Sequence, residues 1–303
     1  RPGAAGHDHR KPHGMTISGR FPLGLDRHGP WTDPLCLERA ATPTGVKTTG
    51  GFRHGSWCLN PPTICTLVPA PTMAGMNTPL DALRRRVRNG SAEPLLTHYD
   101  LDSGGRTELS VATFANWVAK TANLIEDLGA DSGLVALPLA LSRPGHWMTL
   151  LWPLAAWQRE CAITLDAGGA DIAVVGPDDP EPLVPGATLA CSLHPLGLGL
   201  RDLPDGVLDF TTEALAQPDQ AGTLPSASNA PAWIDGAEVF SHADLAATTP
   251  VAGRVLVRPS GALETLRAAV LGPLLGGGSA VVIEGEADDA RLAAIRASER
   301  CVE

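Results

Sequence analysis

The sequence predicts an α/β fold of mostly parallel sheets flanked by helices. Short apolar runs without alternation indicate strands that are covered on both faces. Segments with apolar residues at spacings of three and four indicate helices between them, and turns rich in glycine and proline separate the two kinds of element. A strand, a crossover helix and a strand in this order form a right-handed parallel unit. Because this order recurs along the chain, the fold class follows.

The first elements are a helix and a hairpin. The helix begins at Thr78 and Pro79, because proline fits the first turn of a helix. Two short strands are predicted at 94–99 and 106–109. The Asp-Ser-Gly-Gly stretch at 102–105 between them is typical of a hairpin turn.

The best-defined stretch covers residues 107–166. Ser110 is expected to cap a helix that ends at Gly129. The apolar run 134–141 is predicted as a buried strand. A second apolar helix carries Trp147 and leads to a short strand near residue 165. This stretch therefore forms one parallel unit of strand, helix and strand.

Smaller strands and helices are predicted beyond residue 166. Segment 216–231 is polar and is expected to be a surface loop. Ser241 is a natural cap for a short helix. The remaining predictions are strands at 171–175, 188–193, around Trp233, at 254–258 and at 279–283, and helices at 263–275 and 288–300.

Residues 1–75 differ from the rest of the chain. They are rich in Gly, Pro, Arg and His and have no sustained period of 2 or 3.6. We expect them to be a disordered or non-native N-terminal extension, with the natural protein starting near Met76. The predicted domain is then 76–303, with a subdivision into 76–166 and 167–303.

Charge and cysteine content limit the partners and the compartment. The formal net charge is −10, and residues 1–75 hold 8 of the 23 Lys+Arg but 4 of the 33 Asp+Glu, so the remainder is at −14. An acidic surface disfavours nucleic acid and anionic membranes as partners, and no apolar run approaches the ~20 residues that span a bilayer. The six cysteines have no paired or metal-binding spacing, which favours reduced thiols and a cytoplasmic location.

Several segments together resemble one enzyme family. The hairpin is followed by a helix with Asn123, a turn at Gly133, an apolar strand, and a strand ending in Leu165 and Asp166. Farther on, the sequence reads SHADL at 241–245, and LGPLLGG precedes the strand at 279–283. In this order the segments resemble the opening of the adenylate-forming enzymes, which include the acyl-CoA synthetases, nonribosomal-peptide adenylation domains and luciferases. The resemblance covers roughly residues 78 to 303 and implies an incomplete copy of the family's large N-terminal domain.

The chain departs from the family where the family binds nucleotide. Active members place a Ser/Thr/Gly-rich loop that ends in Lys just before the segment that SHADL resembles, and this loop holds the phosphates of ATP. Here the preceding stretch has no glycine-rich run and no lysine, and the lysines of the chain are Lys11, Lys47 and Lys120. The single tyrosine, Tyr99, lies near the start of the predicted domain, so the Tyr-Gly-x-Thr-Glu segment with which the family helps to hold the nucleotide is absent.

The sequence suggests functional residues only through the resemblance to the family. The resemblance implies ATP or AMP as cofactor and assigns cofactor binding to Ser241 and His242. The residues themselves indicate no cofactor, no catalytic group and no metal site. Ser241, His242 and Asp244 are the residue types of a hydrolytic triad, but neighbouring positions on a helix point in different directions. We therefore interpret Ser241 and Asp244 as a helix cap.

Three functions remain open. The first is a non-catalytic homologue that binds a small acyl or nucleotide ligand or a protein partner. The second is a partial adenylate-forming ligase of the acyl-CoA synthetase type, completed by a second polypeptide or by further sequence. The third is an unrelated α/β binding domain. The lost phosphate loop and lysine favour the first, because nothing else in the sequence would stabilise charge on the α-phosphate of ATP.

Overall fold

The fold is built on two β-sheets. The computed structural model of the chain describes residues 78–178, 180–224 and 226–302. The predictions for residues 1–75, including the start near Met76, lie outside this range. Both sheets combine strands from either side of residue 166.

The first half of the described chain contains eight elements. They are α1 (Pro79–Gly90), β1 (Pro94–Asp100), β2 (Gly105–Ser110), α2 (Val111–Asp127), β3 (Leu134–Ala136), α3 (Leu139–Ser142), α4 (Trp147–Gln158) and β4 (Ala162–Thr164).

The second half alternates strands with shorter helices. The elements are β5 (Ile172–Val175), β6 (Ala187–Ala190), β7 (Val207–Asp209), α5 (Phe210–Leu215), β8 (Pro231–Asp235), β9 (Glu238–Ser241), α6 (His242–Ala246), β10 (Arg254–Val257), α7 (Ala262–Leu266), a π-helical turn (Arg267–Leu271), α8 (Gly272–Gly276), β11 (Ser279–Glu284) and α9 (Asp289–Ser298).

The smaller sheet has four strands in the order β10-β11-β1-β2. β10, β11 and β1 are parallel, and β2 returns antiparallel to β1 as the predicted hairpin. The register pairs Asp100 with Glu284. The carboxyl ends of the parallel strands therefore meet at one edge, where ligands of open α/β sheets usually bind.

The larger sheet has seven strands in the order β7-β6-β5-β3-β4-β8-β9. Every neighbouring pair from β7 to β8 is parallel, and β9 alone runs antiparallel to its neighbour, β8. The predicted fold class, mostly parallel sheets flanked by helices, is confirmed.

One apolar core extends through both sheets, with α2 and α4 at its centre. The side chains of α4 are buried on every side, so this helix is apolar all round, as a core helix must be. Its three tryptophans, Trp147, Trp152 and Trp157, are fully enclosed. α2 carries only one apolar face. Within the described ranges, no helix is long and apolar enough to cross a membrane.

Some predicted boundaries were wrong. The strand predicted at 134–141 ends at Ala136, because Pro138 adopts helical backbone angles and α3 begins directly after it. The segment β7–α5 was not predicted, since a three-residue strand is too short to show a period, although Asp209 caps α5 through a bond to the Thr212 amide of 2.7 Å.

The polar segment after α5 is a surface loop, as predicted, and side chains of α2 anchor it. Lys120 Nζ donates to the Gln217 carbonyl (2.5 Å) and lies 2.8 Å from Asp219 Oδ1. Asn123 Nδ2 donates to the carbonyls of Pro218 and Gln220, both at 3.0 Å. Lys120 is thus committed to holding this loop against α2.

Candidate functional site

The β8–β9 hairpin occupies the place where the resemblance puts a phosphate loop. Asp235 pairs with Glu238, so only Gly236 and Ala237 form the turn. Gly236 has a φ of 58°, which the tight two-residue turn requires and which glycine adopts without strain. A phosphate cradle instead presents several successive backbone N–H groups to the anion. A two-residue turn between paired strands has no room for such a series.

Ser241 is used as a helix cap. Its Oγ accepts from the Asp244 amide (3.2 Å), and Asp244 Oδ2 accepts from the Ser241 amide (2.8 Å), which completes a capping box. The hydrogen bonds that the Ser241 hydroxyl and the Ser241 amide donate to the Asp244 carboxylate lower the pKa of Asp244. The predicted capping role of Ser241 and Asp244 is confirmed, and Ser241 Oγ itself bonds to Asp244 Oδ2 at 2.6 Å.

His242, the next residue, faces a cavity of about 190 Å³. We call this space the His242 cavity; it lies between the start of α1, the end of α4 and the residues Thr223, Leu224 and Ser226. The side chain of His242 is only 5% exposed, and its ring meets the Trp157 ring edge-on at 5.9 Å. Burial lowers the pKa of His242, so the imidazole is neutral at pH 7. Among the described residues, none forms a hydrogen bond with the ring nitrogens.

The walls of the His242 cavity combine fixed apolar and polar groups. Trp157 Nε1 donates to the Ala232 carbonyl at 2.8 Å, which holds the indole in place. Ser226 Oγ is buried and has no hydrogen-bond partner in the described chain. Arg84 contacts Asp81 at 3.1 Å and the Thr223 hydroxyl at 2.5 Å, so its positive charge is already balanced.

A second polar centre lies where β1 and β11 end. Glu284 is 7% exposed; its Oε1 accepts from the Gly145 amide at 2.8 Å, and its Oε2 lies 3.1 Å from His98 Nε2. Arg143 lies 4.0 Å from the same carboxylate. We call Glu284, His98, Gly145 and His146 the Glu284 cluster. It joins the carboxyl edge of the smaller sheet to the start of α4.

His146 completes the Glu284 cluster, and its hydrogen bonds define its tautomer. Its Nδ1 accepts from the Met148 amide at 3.2 Å, so Nε2 carries the proton and donates to the Leu193 carbonyl at 3.2 Å. Its ring meets that of His98 edge-on at 4.7 Å. Burial, followed by the neighbouring His98, holds the pKa of His146 well below 6.5. Both ring nitrogens are therefore occupied in the neutral form.

The structure separates the two residues that the resemblance assigned to cofactor binding. Ser241 is occupied by the helix cap, and His242 points to the cavity. Ser226 and Trp157 reach the cavity from distant segments and were not predicted from the sequence, and His146 was predicted to have no role. In the described part of the chain, no group of three His, Cys, Asp or Glu side chains is arranged to hold a metal ion.

Comparison with known sequences found one curated relative, and no family model matches the chain. The relative is a Mycobacterium tuberculosis protein that is named only for its family; it is 36% identical over 135 residues. The aligned region covers 42% of this chain and 55% of the relative. The chain thus spans little more than half of that protein.

Solved structures share the fold over a larger part of the chain. A Brucella canis acyl-CoA synthetase superposes with a TM-score of 0.60 at 17% identity, over 74% of this chain and 46% of the synthetase. A fatty acyl CoA synthetase of Mycobacterium tuberculosis gives 0.55 at 12% identity, over 75% and 48%. The N-terminal domain of FACL13 from the same organism gives 0.54 at 13% identity, over 75% and 62%.

These superpositions establish the architecture that the sequence predicted. They cover about half of each complete synthetase and most of the described residues. The chain therefore shares its fold with the acyl-CoA synthetases over about half of their length.

Proposed function

We propose that this protein is a non-catalytic relative of the adenylate-forming enzymes that binds a small ligand without activating it with ATP. The observation that carries the proposal is the β8–β9 hairpin, in which Gly236 and Ala237 alone form the turn. The resemblance places the phosphate loop of active members there. In this protein the β8–β9 hairpin is a structural element that leads into α6.

The chemistry of acyl activation supports the same conclusion. Transfer to the α-phosphate of ATP develops negative charge, which active enzymes stabilise with preorganised N–H donors and cations. Lys120, the one lysine in the described ranges, is held by Gln217 and Asp219. The acidic balance of residues 76–303 further weakens attraction for a polyanion such as ATP.

The curated relative is itself a short protein. Its 135 aligned residues are 55% of its length, so that protein is shorter than this chain of 303 residues. The two complete synthetases are much longer, since three quarters of this chain spans less than half of them. A short protein with sequence similarity to this one therefore exists beside the full-length ligases.

An assay of adenylate formation tests the proposal. The purified full chain is incubated with Mg²⁺, ATP and fatty acids of short, medium and long chain length, and AMP and pyrophosphate are quantified. We expect no AMP above the protein-free reaction, with a fatty acyl-CoA synthetase as positive control. AMP that depends on an added acid and scales with protein concentration would refute the non-catalytic function.

A second candidate is a partial ligase that is completed by another polypeptide. It is favoured by the coverage of only 46% and 48% of the two complete synthetases. The two candidates are separated by assaying the protein after affinity isolation from its own cells and, in parallel, as recombinant protein. ATP-dependent acyl activation in the isolated complex alone would establish the second candidate.

A further inference from the structure

The His242 cavity is lined by polar groups that have no hydrogen-bond partner in the described chain. Ser226 Oγ is buried and has no partner in the described chain, and no described residue forms a hydrogen bond with the ring nitrogens of His242, which lines the same cavity. A buried polar group without a hydrogen bond costs ~1–3 kcal/mol, so native proteins rarely keep one unless water or a ligand satisfies it. A buried hydroxyl without a partner and an imidazole without a hydrogen bond to the described chain line the same cavity, which indicates a site for a bound molecule.

We propose that the His242 cavity binds a small uncharged molecule that has an apolar body and one hydrogen-bonding head group, such as an amide or a phenol. This inference rests on the proposed function, in which the protein binds a small ligand, and it names the site and the class of ligand. His242 and Ser226 bond to the head group, and Trp157 contacts the body.

The size of the cavity limits the ligand. Its volume is about 190 Å³, whereas one water molecule occupies ~30 Å³ in the liquid. Sites for drug-sized ligands usually measure ~300–1,000 Å³. The space therefore fits a molecule with about one ring, and it is too small to enclose a nucleotide.

The charges around the cavity select a neutral ligand. The guanidinium of Arg84 is paired with Asp81, and His242 is uncharged. Among the described residues that line the cavity, no cation is left unpaired to balance a carboxylate, and burial of an unpaired charge is costly. Pro79, Leu80 and Leu224 line the remaining wall and suit an apolar body.

The groups that meet the ligand are fixed before it binds. The His242 amide donates to the Ala230 carbonyl at 3.2 Å, and the Ala243 amide donates to Ser228 at 2.9 Å. The Leu224 amide donates to the Gln158 carbonyl at 3.0 Å and holds the opposite wall against α4. Binding therefore requires little ordering of the protein, which favours affinity for a small ligand.

Benzamide and phenol serve as probes, and benzoate is the charged control of matched shape. The imidazole nitrogens of His242 are followed by NMR during titration of the full chain, together with the melting temperature. We expect benzamide or phenol to shift the His242 resonances saturably and to raise the melting temperature. Absence of both responses with both neutral probes, or equal binding of benzoate, would overturn the proposal.

Two variants locate the site. His242→Phe keeps a flat ring but removes the nitrogens, and Ser226→Ala removes the orphaned hydroxyl. Each is expected to weaken binding of the neutral probe about tenfold, as the loss of one hydrogen bond does. His194→Gln is the matched control, because Nδ1 of His194 bonds to the Leu196 amide outside the cavity. Unchanged affinity in Ser226→Ala and in a folded His242→Phe would overturn the site.

This test is independent of the test for acyl activation. Probe binding that disappears in the variants, combined with AMP formation in the wild type, would refute the non-catalytic function and leave the site intact. Failure of the probes without AMP formation would refute the site and leave the non-catalytic function standing.

Discussion

His146 and His242 both lie at the start of a helix, but they differ in their hydrogen bonds. His146 is the N-cap of α4, and His242 is the first residue of α6. Both rings are nearly inaccessible, and burial lowers the pKa of each. Both nitrogens of His146 have partners in the protein, whereas those of His242 have none in the described chain.

This difference separates a structural histidine from one available for binding. A neutral imidazole has one donor and one acceptor, and the protein can satisfy both only where the backbone is suitably placed. At the start of α4 the backbone supplies both partners of the His146 ring, so the Glu284 cluster is closed in the sense that this imidazole has no free nitrogen. At the start of α6 a cavity lies where the partners would be. Variants of the closed cluster should therefore affect stability, and variants of the cavity should affect binding.

The largest effect is expected in the Glu284 cluster. Glu284→Leu leaves the Gly145 amide and His98 Nε2 without their acceptor in a buried place. Removal of one partner from such a buried pair costs about 3–5 kcal/mol, which urea unfolding of the full chain will measure. Glu284→Gln, the matched control, keeps an acceptor and should lose less. Equal stability of Glu284→Leu and the wild type would contradict a structural role for the cluster.

The next effect is a pH dependence of stability. Unfolded His146 titrates near its ordinary pKa of 6.5, whereas the pKa of the folded residue is far lower. Below pH 6.5, His146 is therefore protonated in the unfolded chain but stays neutral in the folded protein. The free energy of unfolding consequently falls as the pH falls. His146→Asn keeps a capping acceptor for the Met148 amide and removes this titration.

Urea unfolding at pH values from 7.5 down to 5 measures this effect. We expect the stability of His146→Asn to fall less steeply than that of the wild type, by up to about 1.4 kcal/mol per pH unit. His98→Gln is a useful comparison because it removes the ring that faces His146. Parallel curves for the wild type and His146→Asn would show that His146 titrates alike in the folded and unfolded states.

The sequence predicted the parts of the fold that depend on local patterns. Helical spacing of apolar residues placed α2 and α4, and Ser110 caps α2 as expected. β3 ended early because Pro138 turns the chain, a backbone event that an apolar run does not reveal. β7 has three residues and is recognised only from its pairing with β6.

The candidate site was less predictable because its residues are distant in sequence. The cap formed by Ser241 and Asp244 is a local motif and was predicted correctly. The His242 cavity brings Ser226 and Trp157 together with the start of α1, and no spacing in the sequence records that meeting. The Glu284 cluster likewise needs the pairing of β1 with β11, whose strands are separated by most of the described chain.

A smaller effect is expected for the helix cap beside the cavity. Ser241→Ala removes the acceptor of the Asp244 amide and should cost about 0.5–2 kcal/mol of stability. Ser110→Ala, which removes the cap of α2, is the matched control and should lose a similar amount. Benzamide affinity should stay unchanged in Ser241→Ala, since this side chain is held in the cap. A large loss of affinity would show that Ser241 also belongs to the binding site.

The smallest effect separates the cavity from the closed cluster most sharply. Ser226→Ala removes a hydroxyl that has no partner in the described chain, so the free energy of unfolding should stay equal to that of the wild type or rise slightly. Thr188→Val is the matched control, because its buried hydroxyl accepts from the Leu183 amide at 2.9 Å, and it should cost about 1–3 kcal/mol. If Ser226→Ala is destabilised as much as Thr188→Val, the Ser226 hydroxyl already has a partner in the folded protein. The contrast between the Glu284 cluster and the His242 cavity would then be wrong for Ser226, because removal of a buried hydroxyl that has a hydrogen-bond partner lowers stability and removal of one without a partner does not.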